Sequence, residues 1–216
     1  MNTIFSIARQ YGSGGKEIGK ILSQQLDIPF YDKELITMAA DESGISEEVF
    51  QQADERASSS LLYSLMMGSY TLGNCSDLNG DLPVSDNLFL IQANLMKKLA
   101  AQGPCVIVGR CADFILHNNK NLFRVFIHAD RFARMDRVVQ EYGIEPEKAA
   151  QYLVKKDRQR ANYYSFYTNR KWGDPDNYDL MLDSSTFSAE KAAELILNAA
   201  ESREKSPGSG GEAFTA

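Results

Sequence analysis

Apolar positions along this chain fall into two alternating patterns. Short, nearly continuous apolar segments occupy residues 3–8, 29–31, 104–108, 123–127 and 178–182. Such short runs predict strands buried on both faces. Between them the apolar residues switch to a spacing of three and four. Ile18, Ile21, Leu22 and Leu26 predict a helix over 16–26, and Leu88, Ile91, Leu95 and Leu99 predict another over 87–101, with Asp86 near its start. A helix is expected over 131–142, carrying Phe132, Met135 and Val139. Pro146 suits the first turn of the next, which continues through Ala149, Ala150 and Leu153. Ser188 is placed to cap the last, over 189–200. Strands alternating with helices predict an α/β fold, a mostly parallel sheet with helices on both faces.

Two regions depart from this rhythm. Residues 37–85 continue a helix begun at 34–40, add a second helical pattern over 46–52, and become rich in Ser, Gly, Asn and Asp over 68–86. That composition predicts a mobile segment over the ligand site. Residues 202–216 read as a linker-like, disordered tail. The division expected is a core of 1–36, 86–130 and 173–201, an insertion at 37–85 and a lid region at 131–172.

The junction between the first strand and the first helix carries Gln10-Tyr11-Gly12-Ser13-Gly14-Gly15-Lys16-Glu17. Glycines let consecutive N–H groups turn into one concavity, and the helix N-terminus adds partial positive charge. Gly12, Ser13, Gly14, Gly15, Lys16 and Glu17 are therefore candidates to hold the phosphates of ATP, with Lys16 reaching the outer ones. The pattern differs from G-x-x-x-x-G-K-[ST] at both ends. Gln10 replaces the first glycine, and Glu17 stands where a hydroxyl usually meets Mg²⁺, which makes Glu17 a candidate metal contact. The competing reading is a glycine-rich connection without a ligand.

Cations and carboxylates cluster elsewhere. Lys155-Lys156-Asp157-Arg158-Gln159-Arg160, followed by Tyr163, Tyr164 and Tyr167, reverses the acidic balance of the chain. Phosphoryl transfer needs cations around the migrating group and exclusion of water, so Arg158 and Arg160 are candidate catalytic residues of a lid; a solvated charged helix is the alternative. Arg131 and Arg134 begin a helix after the fourth strand, where an anion would offset their conflict with its dipole; simple solvent exposure is the alternative. Arg110 emerges after Gly109 at the end of the third strand, placed to grip an acceptor phosphate, with Asp113 a turn later to orient it or to pair with it structurally. Asp32 ends the second strand and suits a base or water-mediated Mg²⁺ contact, or equally a helix cap. Trp172 is expected to anchor a turn, and His117 and His128 receive no role.

Composition narrows these readings. A length of 216 residues with 44% hydrophobic content suits one α/β domain with a lid. Lys+Arg 23 against Asp+Glu 29 gives a net charge of −6, which argues against general nucleic-acid binding. Cys75, Cys105 and Cys111 match no metal spacing, and Cys105 reads as a core residue. No targeting segment or membrane-length apolar run is evident, so a cytoplasmic protein is expected.

Four motifs in order carry a family resemblance: Arg9 to Gly19, Ile28-Pro29-Phe30-Tyr31-Asp32-Lys33-Glu34-Leu35, Val108-Gly109-Arg110-Cys111-Ala112-Asp113, and Arg160-Ala161-Asn162-Tyr163-Tyr164 with Trp172-Gly173-Asp174. They resemble the cytidylate kinase-like family of bacterial P-loop proteins over about residues 3–198. The resemblance implies a nucleoside-monophosphate-kinase fold with five parallel strands, an acceptor-binding insertion and a lid. It further implies ATP and Mg²⁺ as cofactors, a nucleotide and a small-molecule acceptor as ligands, CMP or a related monophosphate as that acceptor, and a bacterial source. Against true cytidylate kinases, Gly109 and Arg110 match a Gly-Arg-Asp motif in which Cys111 replaces the Asp. Arg158 and Arg160 match their lid arginines by location, and their cytosine-recognition pattern has no clear counterpart in 37–85. A different small-molecule acceptor, or a nucleotide sensor without turnover, stays open.

Overall fold

The computed structural model describes residues 1–32, 34–44 and 84–205. Its five strands are β1 (Ile4–Arg9), β2 (Phe30–Tyr31), β3 (Cys105–Val108), β4 (Leu122–His128) and β5 (Leu180–Asp183). They form one parallel sheet in the order β2-β3-β1-β4-β5. The helices are α1 (Gly15–Leu26), α2 (Glu34–Ser43), α3 (Val84–Gln102), α4 (Ala112–Ile115), α5 (Arg131–Tyr142), α6 (Pro146–Thr168) and α7 (Ala189–Lys205). All five expected strands are present, with ends moved by one or two residues. The expected helix over 46–52, most of the polar stretch 68–86, Cys75 and the chain beyond Lys205 lie outside the described residues. Residues 202–205, expected to open the tail, are helical.

Alternation along the strands divides the core in two. Ile4, Cys105, Ile107 and Leu122 point to one face and meet Leu35, Leu88, Met96 and Leu99 of α2 and α3. Phe5, Ile7, Val106, Val108, Val125 and Ile127 point to the other and meet Ile18 and Leu22 of α1 and Ala192, Ala193 and Ile196 of α7. Strands covered on both sides need apolar residues at consecutive positions, which is why they read as unbroken runs. Cys105 and Cys111 are buried free thiols.

The second half of the chain differs more from its pattern. The basic, tyrosine-rich stretch expected within the lid region is the C-terminal part of α6, a single helix of 23 residues. Pro146 sits in its first turn, no Pro or Gly interrupts it, and Asn169 closes it in the left-handed conformation. Asp130 caps α5 by accepting from the N–H groups of Phe132 and Ala133 at 2.8 and 3.4 Å. Val138 then packs with Met135, Val139, Ala149, Leu153 and Tyr11. Phe132, expected on the apolar face, is 72% exposed. It lies in the first turn of α5, where a groove separates that end from α6. Trp172 anchors its turn as expected, edge-on to Phe126 at 5.2 Å.

Candidate functional site

Gly12 and Gly14 adopt φ of 74° and 73° in the turn between β1 and α1, a conformation that side chains beyond Cβ-free glycine resist. Gln10 has no positive φ, so glycine is dispensable there, and its side chain serves instead as an acceptor for the N–H of Ala129 at 3.2 Å. Ser13 is fully buried, and its hydroxyl lies within reach of the Gln10 and Ile127 carbonyls at 2.9 and 3.2 Å. Ser184 holds the Ser13 carbonyl at 2.6 Å. The Ser13 hydroxyl thus fastens the loop rather than facing a ligand. The amides of Gly15, Lys16 and Glu17 form the first turn of α1, where no carbonyl of the helix can satisfy them. Lys16 and Glu17 are exposed at the mouth.

Around this loop the charges are strongly uneven. Lys16 Nζ lies 3.0 Å from one oxygen of the buried Asp32 carboxylate, and Arg9 approaches the other at 3.3 Å. The Asp32 carboxylate is engaged by two cations, and its backbone N–H donates to Glu34 at 3.1 Å. Arg160 donates to the Arg9 carbonyl at 2.9 Å and stacks 5.0 Å from the Tyr11 ring. Arg137 donates to the Gly12 carbonyl at 3.0 Å, and its guanidinium lies against Gly14. Arg134 pairs with Asp157 at 2.5 Å and donates to the Tyr11 carbonyl at 3.3 Å, while the Tyr11 N–H donates to Asp157 at 2.7 Å. Burial, reinforced by Arg160 and Arg110 and only partly opposed by Asp32, pushes the Arg9 guanidinium down to about 9. Burial likewise lowers Arg160. Burial is the main reason that both guanidinium groups resist their charge.

The acceptor candidates stand at the ends of β2 and β3. Gly109, Arg110 and Cys111 have successive φ values of 80°, 59° and 55°. Two non-glycine residues held there store about 1–2 kcal/mol each of local strain, a feature that concentrates at ligand sites. The turn brings Arg110 near enough to act on the charge of Arg9. Asp113, expected to orient Arg110, accepts from the Tyr164 hydroxyl of α6 at 2.7 Å. Burial raises its carboxyl above the usual range despite that bond.

The candidates therefore separate. The structure gathers Lys16, Asp32, Arg134 and Arg160 around the loop, with Arg110 close to Arg9. Arg158 and Arg131 both line the groove between α5 and α6, which none of the loop residues lines. Arg158 and Arg160 are two positions apart, about 200° around a helix, so they cannot share one face. Arg9, Arg137 and Asp157 belong to the site and were not singled out from sequence. Their available signals were an arginine ending the central strand, the step of three from Arg134 to Arg137, and the step of three from Asp157 to Arg160.

Arg134 Nε is buried without a hydrogen-bond partner among the described residues, and a Cβ on Gly14 would press within 2.9 Å of the Arg137 guanidinium. No cluster of three or more metal-ligating side chains occurs among the described residues, and no described helix is long and apolar enough to cross a membrane.

A strand–glycine loop–helix unit on a parallel sheet of this order defines a P-loop protein of kinase-like fold. The model of the cytidylate kinase-like family matches residues 4–186, and the chain belongs to that family. It has no significant match among curated proteins. It resembles the crystal structure of an uncharacterized protein from Eubacterium ventriosum at 28% identity and a TM-score of 0.68, covering 93% of this chain and 99% of that one. Shikimate kinase from Bacteroides thetaiotaomicron aligns at 13% identity and a TM-score of 0.53, over 92% of this chain and 98% of that one. Shikimate kinase from Acinetobacter baumannii, in complex with shikimate, aligns at 13% identity and a TM-score of 0.51, over 95% and 96%. At that identity the two kinases share the fold.

Proposed function

We propose that this protein transfers the γ-phosphate of ATP to an anionic small molecule, with CMP or a related nucleoside monophosphate as the nominal acceptor. The observation that carries the reading is the Lys16–Asp32 pair at the mouth of the loop, 3.0 Å long, with Arg9 on the other carboxylate oxygen. Lys16 and the amides of the loop hold the β- and γ-phosphates. Arg160, Arg9 and Arg137 supply the fixed positive charge that a phosphoryl transition state requires. Arg110 grips the acceptor anion.

Mg²⁺ takes oxygen ligands and keeps several waters. Asp32 and Glu17 are the carboxylates that would hold it beside the phosphates, once Lys16 leaves Asp32 for the nucleotide. Bound there, the ion neutralises charge on the phosphates. Asp32 has a role that depends on the acceptor. A monophosphate oxygen is already ionised at neutral pH and needs no base, whereas a hydroxyl must surrender a proton as it attacks.

A second acceptor class rests on Arg110, whose charge acts on that of Arg9, since guanidinium groups bind a carboxylate as readily as a phosphate. A hydroxylated carboxylate would then use Asp32 as base. ADP formation from Mg²⁺–ATP with a panel of nucleoside monophosphates, with Lys16→Ala as the blank, tests the reading. CMP-dependent ADP with equal CDP is expected. ADP formed only with hydroxylated carboxylates moves the protein to the second class, and ATP binding without any acceptor-dependent ADP refutes transfer. Glu17→Ser should change the Mg²⁺ dependence of turnover; an unaltered titration removes Glu17 from the metal.

A further inference from the structure

The groove between the first turn of α5 and the outer side of α6 is separate from the loop and has its own chemistry. Gln151, Val154, Lys155, Arg158, Gln159 and Asn162 line it from α6. Their spacing of three and four makes them one stripe, turned away from the Asp157 and Arg160 stripe that grips the loop. Arg131 faces them from α5, and the cavity measures about 560 Å³. That volume falls within the range of small-molecule sites, roughly 300–1,000 Å³.

Its charge is as distinctive as its shape. Arg131, Lys155 and Arg158 form no ion pair with any described residue, and no carboxylate among the described residues lines the groove. In a chain with more acidic than basic residues, convergence of three such cations on one cavity calls for an external anion. The groove also offers an uncharged part. Val154 is 62% exposed beside Ala150, an apolar shelf, and the side-chain amides of Gln151 and Gln159 supply both donors and acceptors. Bare inorganic phosphate would use the cations alone and leave the shelf wet.

We propose that this groove is a second ligand site, independent of the phosphate loop, for a phosphorylated small molecule of nucleotide size. The cations hold its phosphates, and the Val154–Ala150 shelf with the flanking amides holds its organic part.

Equilibrium dialysis of labelled ATP against the full chain, without Mg²⁺ so that no turnover occurs, counts the sites. Two molecules per chain are expected. Lys16→Ala should remove the loop molecule and leave one. The combined Arg131→Gln, Lys155→Gln and Arg158→Gln variant should remove the other, or weaken it at least tenfold, and Arg158→Gln alone should weaken it in the same direction with far-UV circular dichroism unchanged. Labelled pyrophosphate should bind the groove more weakly than ATP, and Val154→Asp should weaken ATP there more than pyrophosphate. Equal binding of the two overturns the assignment of an organic part. One ATP per chain, lost with Lys16→Ala and unaffected by the groove substitutions, overturns the site while leaving the loop reading intact. One ATP lost only through the groove substitutions upholds the site and refutes the loop reading instead.

Discussion

Asp157 joins the phosphate loop to the helices beside it, and its removal should expose how far the loop's shape depends on them. Its carboxylate accepts from the Tyr11 N–H at 2.7 Å and pairs with Arg134 at 2.5 Å. The two side chains are only 19% and 12% exposed. Removing one partner from a fully buried pair typically destabilises by about 3–5 kcal/mol, whereas an exposed pair contributes about 0–1. The low exposure puts this pair nearer the first figure, while water entering beside Arg134 moderates it. Asp157→Ala should therefore lower the unfolding free energy by about 2–4 kcal/mol, including the unpaired Tyr11 amide. The loop would also have to be ordered by its ligand. If that ordering takes about 1.4 kcal/mol, ATP affinity falls about tenfold. Urea unfolding of Asp157→Ala, Arg134→Ala and the double variant gives the coupling, and isothermal titration gives the affinity. A coupling below about 0.5 kcal/mol, the level at which independent sites simply add, would refute the fastening role.

Three further outcomes follow from the same geometry. Arg160→Ala should lower kcat about ten- to a thousandfold, the effect of losing roughly 1.4–4 kcal/mol from the transition state; a change confined to KM would make Arg160 a binding residue. Gly12→Ala meets both a φ of 74° and approaches of 3.0 Å to the Arg134 carbonyl and Val138, so a loss of about 2 kcal/mol or more is expected in thermal unfolding, and an unchanged midpoint would contradict the loop conformation. Asp179 provides a pH test. Burial raises its carboxyl, but the hydrogen bonds and charge of Arg124, at 2.7 Å, outweigh that and leave it below its ordinary 3.8. The unfolded chain therefore binds this proton first as pH falls. The contribution is complete above the ordinary carboxylate value and disappears as pH drops through the lower folded one. Asp179→Asn should reduce the steepness of acid unfolding below about pH 4; an identical acid profile would refute it.

Local pattern was enough for everything that depends on neighbours in sequence. Apolar runs at 3–8 and 123–127 become strands because both sides must be covered, and Gly12, Gly14 and Lys16 declare a phosphate loop because turn geometry and a helix N-terminus are local properties. Pro146 and Ser188 mark helix starts for the same reason. Partners across the chain were another matter. Whether Asp113 turns to Arg110 or to Tyr164, and whether Arg158 accompanies Arg160, depends on which helix face meets the sheet. Arg9 reads as the polar end of a strand until the fold sets it beside Asp32, Arg160 and Arg110. Electrostatics acts over a few ångströms of space irrespective of separation along the chain. Only the packed helices α5 and α6 decide which cations surround the loop and which line a groove of their own.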